Sequence, residues 1–467
     1  MGVWKIAALS HIVLGFAALL GVSILCSDSK ISSVSAAGDR LAAERGVTPV
    51  PAPAGAGEYR LIGWNDLGMH CMNQYFANLC ILPPYNTLWA QLIRTGAVPE
   101  IVTSGVTVEY SIVDNTHSVG KTDFWDHVEA LFGVALPPNI GLQGAGMAGV
   151  MTANGDHFLV EGVPLTPFLD SAPGTIYPYQ LVHLVARAAG SGEVLAETTV
   201  VAPVSTEMRC DTCHADGMIE DIATGNIETN ILTLHDLEES TQLMADRPVL
   251  CADCHADNAL GLPGDPELPS LSHAIHEVHA SEDPEPEPWS GGPPFSIWSQ
   301  SLGIGRVARA VRAVRTDDCY LCHPGHQTQC LRDVMYSRGL GCTDCHGGTW
   351  QVADPSRNPW LEEPRCESCH GLDFAENPGT LYRNSVGHGG LYCEACHNSP
   401  HAIVPTVQPN DNLQTIAIQG FAGTLSVCTV CHAGVPTGFG PHGTVAYAMI
   451  SGSGAGGASR LRRIQRQ

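Results

Sequence analysis

Seven copies of one short pattern, Cys-x-x-Cys-His, constrain this chain's fold more than any run of apolar residues does. They are Cys210/Cys213/His214, Cys251/Cys254/His255, Cys319/Cys322/His323, Cys342/Cys345/His346, Cys366/Cys369/His370, Cys393/Cys396/His397 and Cys428/Cys431/His432. They take up 14 of the 18 cysteines and 7 of the 21 histidines, where chance would supply about 0.03 copies in the whole chain. Two thiols three positions apart share one turn and can both form thioethers to the vinyl groups of one heme, while the next residue aims its imidazole at the iron. Zinc ribbons and thioredoxin-like centres use the same Cys spacing but need no His after every second Cys. Disulfides explain a compartment and leave the histidines unexplained. The pattern is therefore read as c-type heme attachment, with seven covalent hemes c expected.

The histidine count supports distal as well as proximal ligation. Of the 14 histidines outside the motifs, His11 lies near the N-terminus and His70, His117, His127, His157 and His183 precede the first motif. Eight remain among the motifs: His235, His273, His276, His279, His326, His388, His401 and His442. Seven irons need seven distal ligands, so the supply suffices for bis-histidine coordination with one imidazole over. In Ser272-His273-Ala274-Ile275-His276-Glu277-Val278-His279-Ala280 three imidazoles recur at i, i+3 and i+6, one side of a helix. One short helix is thus expected to reach two or three hemes. His326 and His401 follow motif histidines so closely that they are expected to serve a neighbouring heme. With histidine in surplus, Met208, Met218, Met244, Met335 and Met449 are read as packing residues.

The organisation around these motifs is economical. From Cys210 to His442 there are about 33 residues per motif, too few to wrap each heme in its own core, so the macrocycles are expected to pack on one another. Motif starts are separated by 41, 68, 23, 24, 27 and 35 residues. The longest gap holds a Pro- and acid-rich stretch, Ser281 to Phe295, expected to be an exposed loop, and an expected helix from Ile304 to Arg315. Arg306, Arg309, Arg312 and Arg315 would there either neutralise heme propionates or form a solvated face.

The other segments differ in composition. Residues 1–37 read as a signal peptide or an uncleaved N-terminal anchor, since Ile6 to Cys26 is almost wholly apolar, and residues 38–57 as a Pro/Ala/Gly linker. Residues 58–206 carry no motif and are expected to form a heme-free domain. In it Val106 to Val113, Leu181 to Ala188 and Val194 to Val201 read as strands, and Asn86 to Thr95 and Asp123 to Phe132 as short helices. Cys71 and Cys80 are close enough in sequence for a disulfide, with Cys330 then the odd thiol; Met69, His70, Cys71 and Met72 alternatively offer soft-metal ligands. Residues 207–451 form the motif-bearing domain and 452–467 a flexible basic tail. The fold class expected is α+β, a β-rich, sandwich-like N-terminal domain followed by a loop-rich multiheme domain with short helices. A formal charge of -24 repels phosphate backbones and argues against a nucleic-acid partner.

In Cys319 to His323 with its following Pro-Gly, in Cys342 to Gly347, in Cys393 to His401 and in Gly440-Pro441-His442, the chain resembles the exported multiheme c-type cytochromes of anaerobic, metal-respiring bacteria and archaea. That resemblance implies electron transfer along stacked hemes in the periplasm or on the cell exterior, with other redox proteins or extracellular acceptors as partners. Some members of such families assemble into filaments in which a neighbouring subunit supplies a distal histidine. The expectation is an electron carrier with no catalytic residues. The competing reading is a multiheme reductase of a nitrogen or sulfur oxyanion with one open heme site. A third is a structural subunit of a homo-oligomer or filament.

Overall fold

A computed structural model describes residues 57–281 and 319–443. The expected signal or anchor segment, the linker up to Ala56, the loop beyond Ser281, the arginine helix, Met449 and the basic tail lie outside the described residues. Both described stretches belong to one compact unit. It is mixed α and β, sheet-rich toward the N-terminus and short-helical after it.

Twelve strands are present among the described residues: β1 (Tyr59–Asn65), β2 (His70–Cys71), β3 (Leu79–Cys80), β4 (Leu88–Arg94), β5 (Glu100–Ile101), β6 (Val106–Ile112), β7 (Ala148–Val150), β8 (Thr152–Asn154), β9 (His157–Val160), β10 (Tyr179–Ala188), β11 (Val194–Ser205) and β12 (Val249–Leu250). One five-stranded sheet runs β1-β4-β9-β8 with β5 also paired to β4, and a second runs β2-β11-β10-β6-β7. In the second, alternation decides the register: Val182, Leu184 and Ala186 are buried and lie opposite Ile112, Tyr110 and Val108, so every second residue of both strands enters the core. Residues of both sheets contribute to one large hydrophobic cluster, which includes Leu88, Leu92, Val108, Phe158, Leu184 and Val200.

Asn86 to Thr95, expected as a short helix, instead contains β4. Its apolar run is nearly continuous because β4 is flanked by β1 and β9 and buries side chains on both faces, a pattern that periodicity alone does not separate from a helix. The expectation at Asp123 to Phe132 holds as α1 (Phe124–Phe132), which turns Phe124, Val128 and Leu131 into the core and ends at Gly133 in the left-handed conformation. Three further helices among the described residues exceed one turn and a half: α2 (Ile227–Glu239), α3 (Leu271–Ser281) and α4 (Leu413–Gln419).

The sheets approach closely at Gly63 on β1. A Cβ there would overlap the Leu184 side chain and come within 3.3 Å of Val200. Gly63 is also gripped from the motif region, since the Gln414 amide of α4 accepts from its N–H at 2.8 Å and donates to its C=O at 2.9 Å. A stronger tie lies at Arg332. Its guanidinium, buried with its partner, donates to both Asp411 carboxylate oxygens at 2.6 and 3.0 Å and to the Gly68 carbonyl at 2.7 Å.

Two stability measurements check this arrangement. Gly63→Ala is expected to lose about 1–3 kcal/mol by overpacking. Arg332→Leu, which leaves Asp411 buried and unpaired, is expected to lose about 3–5 kcal/mol. Denaturant unfolding of the variants against the parent protein reads both, and unchanged midpoints would remove these contacts from the packing argument.

Candidate functional site

Each motif closes a tight turn, because the residues are too close for anything longer. In five of the seven the His amide donates to the carbonyl of the first Cys at 2.8–3.0 Å. The other two are short helices, Cys342–His346 and Cys393–His397. The turn keeps both thiols and the imidazole within about one turn of backbone, the spacing that thioether attachment uses.

Four of the attachment cysteines read from the sequence are not enclosed by the chain. Cys254, Cys322, Cys345 and Cys369, each the second thiol of its motif, are exposed instead, while Cys251, Cys319, Cys342 and Cys366 before them are partly buried. A one-turn motif has an outer side, and about 33 residues per motif leave too little chain to lay a second layer over it. The first thiol faces the protein and the second faces outward.

Six motif imidazoles then face a second imidazole from elsewhere in the chain. Ring centres are 6.3 Å apart for His214 and His279, 6.5 Å for His255 and His235, 6.0 Å for His323 and His276, 6.0 Å for His346 and His401, 6.0 Å for His397 and His442, and 5.9 Å for His432 and His388. An iron bound to two imidazoles, at about 2 Å from each nitrogen with roughly 1.2 Å more to each ring centre, sets the centres about 6.4 Å apart. The spacing is too wide for stacked rings in contact and fits one intervening iron. The residues present therefore fit a bis-histidine heme at six motifs. Among the described residues no cage of three or more His, Cys, Asp or Glu side chains suits a bare metal ion.

Tautomer and charge agree with ligation. His276 and His279 on α3 direct Nδ1 to the carbonyls of Ser272 and Ile275 at 2.7 and 2.6 Å, His255 to Pro269 at 2.9 Å and His442 to Asp373 at 3.0 Å. A carbonyl only accepts, so each Nδ1 carries the proton and Nε2 is left with its lone pair. His235 reaches the same state through Thr241, whose hydroxyl donates to Asp236 and so accepts from Nδ1 at 3.0 Å. Burial, and then the facing imidazole, pushes His214, His397 and His401 down to about 4, and burial lowers His276 and His346 as well. At neutral pH these are uncharged imidazoles, the ligating form.

Two of the eight candidates are not brought to a motif histidine. His273 has both ring nitrogens engaged, Nδ1 by the Ala353 carbonyl at 2.5 Å and Nε2 by the Glu277 carboxylate at 2.8 Å. His326 has an exposed side chain on a loop whose amides at 326, 327 and 328 donate to the buried Glu207 carboxylate. Correspondingly, among the described residues no imidazole faces His370 of the fifth motif, which is itself exposed.

The motifs are not arranged in chain order. On α2, Asn230 donates to the His214 carbonyl at 2.9 Å and His235 faces His255, so the second motif neighbours the first. The first neighbours the third, because Arg209 donates to the Cys322 carbonyl at 3.2 Å and α3 carries the partners of both His214 and His323. Cys319 and Cys342 share a side-chain hydrogen bond, joining third to fourth. Partial loss of water, then Asp333 and Cys369, raises the Cys345 thiol, so the fifth motif lies near the fourth. Phe374, just past the fifth motif, packs at 5.3 Å on His442, the partner of the sixth. Leu425 donates to the Cys396 carbonyl at 3.1 Å, and Ala395 and Cys431 share a hydrophobic cluster, linking sixth to seventh. These contacts make neighbours of second and first, first and third, third and fourth, fourth and fifth, fifth and sixth, and sixth and seventh.

The N-terminal cysteines separate. Cys80 is buried in the main core, where Cys251 of the second motif adds to the burial that raises it, whereas Cys71 packs with Cys330; the expected Cys71–Cys80 disulfide is absent and all three thiols are free. Met72 enters the main core, Met69 the cluster holding Cys71, and His70 is paired with Asp66 at 3.1 Å, so the four do not converge as soft-metal ligands.

Compared with protein-family models, with curated proteins and with solved structures, the chain matches none. His279→Ala in heme-loaded protein is expected to turn one iron per chain from low-spin to high-spin, whereas His273→Ala leaves the low-spin count unchanged. Low-temperature EPR of the oxidised proteins reads the difference, and equal spectra for the two variants would break the assignment.

Proposed function

We propose that this chain carries electrons, outside the cytoplasm, through seven covalently attached c-type hemes, in anaerobic or extracellular respiration. The observation that carries this is the set of six facing imidazole pairs, each joining a motif histidine to one of the eight candidates at 5.9–6.5 Å. Heme bound at such a pair supplies a reversible one-electron iron couple. The chain's part is to hold two neutral imidazoles in opposition and to keep successive attachment turns adjacent. A sandwich-like, heme-free unit is the scaffold against which the loop-rich heme region is laid. Other redox proteins or an extracellular acceptor are the partners proposed, with the second and seventh motifs at the two ends of the path.

One observation favours a second reading at one position. His370 is exposed and faces no imidazole among the described residues, as an open site for an oxyanion in a multiheme reductase would require.

Heme quantification per chain with EPR of the oxidised protein, before and after nitrite or sulfite, tests both. Seven hemes, six of them low-spin with paired imidazoles and none altered by the anions, is the outcome expected for the conduit. A high-spin signal of one heme that shifts with either anion would replace it by the reductase, and a purified chain without covalent heme would overturn both.

A further inference from the structure

Two thiols outside the motifs, 259 residues apart in sequence, are brought to one place. Cys71 lies in β2 and Cys330 in the loop after the third motif, and both pack against Met69, Tyr179 and Val201, beside Leu181. The loop is pinned on either side of Cys330. Two residues before it, Thr328 hydrogen bonds through its hydroxyl to that of Ser205 at 3.0 Å, and Ser205 is the strand partner of Cys71. Gln329 is clamped by the Tyr179 hydroxyl, which accepts from its N–H at 2.9 Å and donates to its C=O at 3.1 Å. Two residues after it, Arg332 donates to the Gly68 carbonyl at 2.7 Å and to that of Cys330 at 3.1 Å. Cys330 is therefore fixed between points that are themselves anchored around Cys71.

The pair has few other roles to fill. Both thiols are free in the structure and neither belongs to a heme motif. No third His, Cys, Asp or Glu among the described residues joins them in a metal cage. Burial pushes Cys71 up to about 12 and Cys330 up to about 11, and Cys330 is the strongest charged neighbour raising Cys71. A half-buried sulfur whose thiol has a raised pKa leaves slowly in exchange, so a bond between the two would be retained.

We propose that Cys71 and Cys330 are joined by a disulfide that staples the β2 edge of the second sheet to the loop following the third motif. Each thiol gives up a proton and one electron as the S–S bond forms. The two protons and two electrons pass to the disulfide of an exchange partner, a thiol–disulfide oxidoreductase or an oxidised low-molecular-weight thiol, which leaves as two thiols. The inference rests on the export half of the proposed function, since the bond needs an oxidising compartment.

The test is peptide mapping of the intact, secreted, heme-loaded protein, denatured and alkylated with iodoacetamide with and without prior reduction. Without reductant, a cross-linked pair of peptides holding Cys71 and Cys330 is expected, with Cys80 alkylated; after reduction both cysteines take up the label. Cys71→Ser is expected to leave Cys330 alkylated without reductant. Alkylation of both cysteines in the unreduced parent protein, or a link from Cys71 to Cys80, would overturn the proposal. The same map separates this from the heme reading: motif cysteines that carry the label show failed heme attachment, whatever the state of Cys71 and Cys330.

Discussion

A charged guanidinium in the interior at Arg332 is the interaction on which the junction of sheet and motif region turns. Taking a charge out of water is costly unless every donor finds an acceptor, and here the carboxylate of Asp411 takes two N–H groups while Gly68 and Cys330 offer carbonyls. The Tyr179 ring lies under the same group, 5.0 Å from its centroid. Residue 68 lies in the bend between β1 and β2 and residue 179 in β10, while 332 and 411 flank the fourth, fifth and sixth motifs. Because none of the partners can be lost without stranding the charge, the interaction fixes a register between distant parts of the chain.

That register matters because the motif segments are too short to form cores of their own. Among the described residues most helices after β12 are one turn long, and the large hydrophobic cluster belongs mainly to the sheets. The motifs borrow order from that neighbour. Cys251 follows directly on β12, which pairs with β3, and the seventh motif is bonded through the Cys431 carbonyl to the Gly96 amide at 3.1 Å. The Gln91 side chain, buried in β4, donates to the Gly390 carbonyl at 3.2 Å and accepts from the Tyr392 amide at 3.1 Å, holding the approach to the sixth motif.

Legibility in the sequence followed the range of the interactions. The seven motifs are local, and so are the alternations that mark β6, β10 and β11, so both could be read directly. Which thiol of a motif faces outward, as Cys254 does in the second, depends on the surrounding chain and left no local mark. The Ser272–Ala280 run showed three imidazoles on one helical side, and α3 presents them so, but sequence could not say which two would face a motif. That depends on Ala353 and Glu277 occupying His273, and Ala353 is 80 residues away. β4 was misread because burial on two faces erases the period that distinguishes strand from helix. The Cys71–Cys330 juxtaposition had no local signal, and nearness in sequence favoured Cys80, which the sheet turns into a different cluster.

The departure from chain order has a physical origin in one helix. α3 rises about 1.5 Å per residue, so His276 and His279 lie less than one turn apart while their partners, His323 and His214, belong to the third and first motifs. The N-terminus of the same helix is bonded to the second motif, Leu271 donating to the Ala256 carbonyl at 3.0 Å. With the first and third motifs facing this helix through His279 and His276, the second is held at its N-terminus. Within the long gap between second and third motifs, α3 brings one helix face to both the first and the third motif. The second motif, at β12, and the seventh, at Gly96, both rest on the N-terminal region, which fixes these two turns while the others are held by one another and by the short helices.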